Sequence, residues 1–262
     1  MFGRGYRFIQ ILSIDIVIGV VILLRFFCVH FGVEVGWQVY TLLACSVWLI
    51  YTADHIRDAE KAKTTNRSRY LFHHKFKRPL IASSIVLITL MLALIFYIPS
   101  IILISGIILA AFSFVYLLIQ HQLSIWLSKE FYVSIVYSIG ILMVPMLLSG
   151  RTEWSYLILL VLLTFTNLVI FSWYEKDQDE QDGFISLATR LSNEGIEKLM
   201  LILVSLGIGI SILNFNEIHL FFLISFGLYA MMILKPQSFK KNQLYRTIGD
   251  GVFLLPIIWE WV

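Results

Sequence analysis

Nine apolar runs of 16 to 22 residues, near 8–29, 37–53, 79–98, 100–119, 131–149, 154–174, 195–213, 218–234 and 244–259, occupy most of this 262-residue chain. A helix of roughly 20 residues crosses the hydrocarbon core of a bilayer, about 30 Å thick. Runs this long and numerous leave too little polar surface for a water-soluble domain, since only 14% of the residues are charged and the mean hydropathy is +0.84. A typical soluble chain carries about 25% charged residues. The expected fold is an all-α, polytopic membrane protein of nine transmembrane helices forming one domain over 1–262.

Charge sets the orientation. With the N-terminus inside, 18 of the 20 basic residues fall on cytoplasmic segments; Arg25 and Arg151 are the two exceptions. The positive-inside rule therefore predicts a multi-pass protein of the cytoplasmic membrane, with its N-terminus inside and its C-terminus outside. The basic face is suited to anions, and membrane lipid headgroups account for most of its lysines. Residues 1–7 carry two arginines, but no small-residue cleavage site follows the long apolar run, which reads as a retained first span. Pro79 opens the third run, Pro99 separates the third from the fourth, and Pro236 follows the eighth, all at tolerated edges. Cys28 and Cys45 lie in apolar runs without metal-site or disulfide spacing.

The informative residues are acidic and close two of the spans. After the second span comes Tyr51-Thr52-Ala53-Asp54-His55-Ile56-Arg57-Asp58, in which Tyr51, Asp54 and Asp58 share one helical face. After the sixth, Glu175, Asp179 and Asp182 form a matching stripe. Like charges at this spacing destabilise a helix, so both stripes require a cation between them. Magnesium suits them, because it takes few carboxylates directly and completes its shell with water and phosphate oxygens. Asp54 to Glu175 and Asp58 to Asp179 are each 121 residues apart, which points to an internal four-helix repeat with a site between its halves.

These segments resemble the UbiA-type intramembrane prenyltransferases. That family carries Asn-Asp-x-x-Asp-x-x-x-Asp after its second helix and Asp-x-x-x-Asp, followed by Gly and Ser, after its sixth. Asp54 and Asp58 match the last two aspartates of the first motif, and Thr65-Asn66-Arg67 resembles the segment that follows it. Glu175 and Asp179 match the second motif, with Gly183, Ser186 and Ala188 downstream, and Lys129 resembles a basic position near the diphosphate. Ile50 and Tyr51 stand where the first motif has Asn and Asp, and Glu175 where the second has Asp. The resemblance implies a UbiA-like bundle that binds Mg2+ and a prenyl diphosphate. Asp54, Asp58, Glu175 and Asp179 would be its metal-holding catalytic residues, and Arg67, Arg69, Lys129, Tyr51, Asn167 and Asp182 its substrate-binding ones.

The chemistry agrees with the resemblance. A prenyl diphosphate has an apolar tail and an anionic head, and breaking its allylic carbon–oxygen bond requires the leaving diphosphate to be neutralised. The carbocation then needs dry, aromatic surroundings, for which Trp48, Tyr51, Tyr116, Tyr137 and Trp173 are candidates. Asp15 falls inside an apolar run, where a charge costs roughly 2.5–3.5 kcal/mol on insertion scales, and so should face the interior. Asp250 follows Arg246 by four residues, a spacing that favours a local ion pair. His73 and His74 adjoin the basic loop, where a solvated or headgroup-facing role is expected. No Gly-rich phosphate loop, nucleophile elbow or zinc-helix motif is present, and no nucleic-acid partner is expected. The leading expectation is transfer of a prenyl group to a small hydrophobic or aromatic acceptor. Intramembrane terpene cyclisation is the runner-up, and a non-catalytic prenyl-diphosphate binding or transport protein is the third reading.

Overall fold

The computed structural model describes residues 3–62, 67–119 and 129–261. Thr65 and Asn66 lie outside the described residues, as does the side chain of Tyr116. The described chain is helical throughout, without a strand. In order it forms α1 (Gly3–Ile11), α2 (Ile14–Phe31), α3 (Trp37–Lys61), α4 (Ser68–Lys75), α5 (Lys77–Leu94), α6 (Ser100–Ile119), α7 (Lys129–Ser149) and α8 (Trp154–Asp182). There follow α9 (Leu187–Arg190), α10 (Asn193–Leu213), α11 (Glu217–Leu234), α12 (Pro236–Lys240) and α13 (Leu244–Gly251), and a 3-10 segment, Val252–Trp261, ends the description.

Among the described residues seven helices are long and apolar enough to cross a membrane: α2, α3, α5 with its 3-10 extension to Tyr97, α7, α8, α10 and α11. Their exposed residues decide the solvent. On α5 and α6, Ile85, Val86, Ile104 and Phe112 are more than half exposed. Contiguous apolar surface on this scale is untenable in water and ordinary against lipid. The protein is an integral membrane protein.

Two of the nine expected runs are built differently. The run at 8–29 is not one helix: Ser13 adopts φ 55° and separates α1 from α2. Asp15 therefore sits in the first turn of α2, where its Oδ1 accepts the Ile16 N–H at 3.0 Å, and not at a helix centre. Helix N-termini favour a negative charge, which lowers the cost of burying this carboxylate. The run at 244–259 is also broken, into the short α13 and a 3-10 segment containing Pro256. A proline in a helix interior removes a backbone donor and clashes with the preceding turn.

Helix α8 is the axis of the bundle. Its buried face (Leu159, Leu160, Leu163, Val169, Ile170) joins residues of α2, α7, α10, α11 and the C-terminal segment in the main core. The sequence stops it sharply at Gly183, whose φ of 78° allows the Phe184 N–H to reach back to the Asp179 carbonyl at 2.8 Å. Gly249 brings α13 against the same helix, because a Cβ there would stand 2.4 Å from the Phe171 ring and 2.7 Å from Asn167 Oδ1. These two glycines fix where the end of α8 lies and what faces it.

Candidate functional site

Helix α3 runs on to Lys61, well past the apolar run that ends near residue 53, so the first acidic stripe stays helical and turns toward the end of α8. Between them lies one cavity of about 830 Å³, within the roughly 300–1,000 Å³ range of small-molecule sites. Its lining is sharply divided. One part is ringed by Asp54, Arg57, Asp58, Arg69, Lys129 and Glu175, whereas another is walled by Leu24, Val39, Leu43, Ile102, Leu109 and Val144. Of the ten residues singled out from the sequence, nine line this cavity: Tyr51, Asp54, Asp58, Arg67, Arg69, Lys129, Asn167, Glu175 and Asp179. Asp182 stands behind it, buried against Arg67. Of the aromatic candidates Tyr51 and Tyr137 line it, and Trp48 and Trp173 do not.

The cation that the acidic stripes require is present in the chain. Arg67, from the segment between α3 and α4, places Nη2 2.7 Å from Asp179 Oδ1, Nε 2.9 Å from Asp182 Oδ2 and Nη1 3.4 Å from Glu175 Oε2. Glu175 Oε1 also accepts from Arg246 Nη2 at 2.6 Å and from the Tyr245 hydroxyl at 3.3 Å. The expected local pair of Arg246 with Asp250 is absent among the described ion pairs, because α13 turns the guanidinium toward α8. Burial opposes charge on Arg67, yet the surrounding Tyr70, Asp179 and Glu175 outweigh it and raise its pKa further above the ordinary arginine range.

The first stripe is less heavily matched. Asp54 pairs with Lys129 at 2.8 Å and with Arg57 at 3.3 Å, whereas Asp58 has no ion pair among those described. Above it α4 adds a hydrogen-bonded layer that sequence reasoning missed. Arg69 Nη1 donates to His55 Nε2 at 3.3 Å, and His73 Nδ1 donates to the Arg69 carbonyl at 2.9 Å. A guanidinium only donates, so His55 Nε2 must carry a lone pair and its proton sits on Nδ1. His73 is buried rather than solvated, and burial lowers its pKa, while His74 stays exposed as expected. Arg67 and Arg69 both lie over the Tyr70 ring, 5.4 and 5.8 Å from its centre, and burial raises the pKa of that phenol.

Among the described residues no group of three or more His, Cys, Asp or Glu side chains is arranged to hold a metal ion by itself. Magnesium needs less, since one or two carboxylates suffice when phosphate oxygens and water complete its shell. Asp54 and Asp58, one turn apart on the cavity wall, fit that donor set. Glu175 and Asp179 are organised around Arg67 and Arg246. The sequence signal for Arg246 was its four-residue spacing to Asp250, which pointed to the wrong partner. No family model, curated protein or solved structure matches the chain.

Proposed function

We propose that this chain is a divergent UbiA-type prenyltransferase, which moves a prenyl group from a prenyl diphosphate to a small hydrophobic or aromatic acceptor with the help of Mg2+. The observation that carries the reading is the divided cavity, with charged residues from α3, α7 and α8 at one part and aliphatic walls at the other. An amphiphile with an anionic head and a long apolar tail matches both. In this reading α6 and the C-terminal segment complete nine crossings, and the basic face is cytoplasmic.

Lys129 and Arg69 meet the diphosphate first, being cations on the cavity wall. Arg67 joins them by exchanging its carboxylate partners for phosphate oxygens, which accept a guanidinium fork equally well. Asp54 and Asp58 would hold magnesium on one side, and Glu175 and Asp179, once Arg67 has turned away, on the other. When bound there, the metal would supply neutralisation of the leaving diphosphate. In this reading the aliphatic walls would keep water from the allylic carbon, and Tyr51 and Tyr137, which line the cavity, would offer their rings to the cation.

The tyrosine at position 51, in place of the family's carboxylate, favours terpene cyclisation as a second reading, because an aromatic face steers an intramolecular cation. Detergent-purified protein given a prenyl diphosphate and magnesium, with and without phenolic acceptors, separates the readings. Prenylated acceptor supports transfer, and cyclic hydrocarbon or alcohol without acceptor supports cyclisation. Metal-dependent binding with no diphosphate release under any condition overturns both in favour of a binding protein.

A further inference from the structure

The cavity also contains polar groups that the diphosphate site does not use. Asp15 and Asn167 are only 5% and 4% exposed, and Asp15 Oδ2, Asn167 Oδ1 and the Tyr137 hydroxyl are all buried without a hydrogen-bond partner. All three side chains line the same cavity, together with Asp250. They come from four elements: α2, α7, α8 and α13. The close approach of Gly249 to Asn167 fixes α13 beside α8 at this level. Asp250 has no ion pair among those described, since Arg246, one turn earlier, is committed to Glu175.

Leaving a buried polar atom unpaired is costly, and these three share their void with the equally unpaired Gln10 Nε2 and Thr164 Oγ1. Asn167 Oδ1 only accepts hydrogen bonds, whereas the Tyr137 hydroxyl both donates and accepts. A ligand that completes the cluster must therefore donate. A carboxylate ligand brings only acceptors to Asn167 Oδ1, and a plain hydrocarbon leaves every orphan unpaired. We propose that Asp15, Asn167, Asp250 and Tyr137 form a second subsite, which binds the hydroxyl group of an uncharged amphiphile such as a phenol or alcohol. The inference rests on the proposed transfer reading in one respect, that it assigns this subsite to the acceptor. Tyr51, on the same face of α3 as Asp54 and one turn before it, lines the same cavity.

The test is a binding series on the full-length protein in detergent, with no diphosphate or metal present. The probes are 4-dodecylphenol, dodecylbenzene and 4-dodecylbenzoate, which share one apolar tail. The phenol is expected to bind about tenfold or more tightly than the hydrocarbon and more tightly than the benzoate. Asp15→Asn and Asn167→Leu should each erase most of that preference while leaving dodecylbenzene affinity unchanged. Equal binding of phenol and hydrocarbon, or tightest binding of benzoate, overturns the subsite. If either variant fails to purify as a single species, the wild-type series still decides. Farnesyl diphosphate with magnesium is titrated in parallel. Diphosphate binding without a phenol preference overturns the subsite alone, and a phenol preference without diphosphate binding overturns the prenyl-diphosphate reading alone.

Discussion

Arg67 donates to Asp179 across 2.7 Å although 112 residues separate them, and so ties the segment between α3 and α4 to the last turns of α8. The same guanidinium reaches Asp182 and Glu175, and its side chain is only 12% exposed. Removing one partner of a buried ion pair leaves the other charges uncompensated and costs about 3–5 kcal/mol. Arg67→Ala should therefore lower the midpoint of thermal unfolding in detergent markedly. Arg67→Lys should recover only a minor part, because a single ammonium cannot replace the fork across three carboxylates. Wild-type stability in Arg67→Ala would show that the clamp is ornamental.

His73 makes a different prediction, about pH. Its imidazole is buried in α4 and its pKa is lowered by that burial. Unfolded, it titrates near its ordinary value of about 6.5. Between that value and its lowered folded value the unfolded chain binds more protons, so stability falls as pH drops through this window and levels below it. Thermal midpoints measured from pH 7.5 to 5 should decline, and His73→Gln should reduce the slope. An unchanged slope would remove His73 from the acid response.

At the end of the bundle remote from the acidic stripes, Tyr156 knits three helices. Its hydroxyl accepts from Asn216 Nδ2 at 2.8 Å and bonds His30 Nε2 at 3.3 Å, joining α8 to α2 and to the cap of α11. Tyr156→Phe removes the acceptor while keeping the ring, and so strands a donor. The expected loss is about 1–3 kcal/mol of stability with no effect on substrate binding. A chemical-denaturation midpoint in detergent measures it, and a prenyl-diphosphate titration provides the control.

The legible parts of this protein were local. Hydropathy gave the long helices, and i, i+4 spacing gave the shared face of Tyr51, Asp54 and Asp58, because both depend only on near neighbours along a helix. The requirement for a cation between the acidic stripes was also readable, from like-charge repulsion. Its source was not. Arg67 was singled out for the substrate, but its three carboxylates lie more than 100 positions away, where no short-range pattern reports contact. Arg246 was misread for the same reason: spacing offered Asp250, while the packing of Gly249 on α8 delivered Glu175. The break at Ser13 escaped detection because a serine between isoleucine-rich turns leaves hydropathy unchanged, and only the backbone angle exposes it.

The two acidic stripes answer to different tests. Asp58 has no ion pair among those described and lines the cavity, whereas Asp179 holds Arg67. Asp58→Asn keeps shape and removes one charge, so it should leave the unfolding free energy within about 0.5 kcal/mol of wild type, as changes that break no ion pair do. Its effect should fall on magnesium-dependent turnover, by about 100-fold or more, as for other residues that act through charge at a reacting group. Asp179→Asn should lower turnover similarly and stability as well, because Arg67 loses its shortest contact. Groups that act as one unit are far from additive, so the double variant should turn over hardly more slowly than either single one, while its stability matches that of Asp179→Asn. Chelation of magnesium should bring wild-type turnover down to the level of the variants and leave theirs unchanged. Two solvated acidic helix ends would instead give normal turnover in Asp58→Asn and in the double variant, and that pair of results would sink the metal–diphosphate assignment.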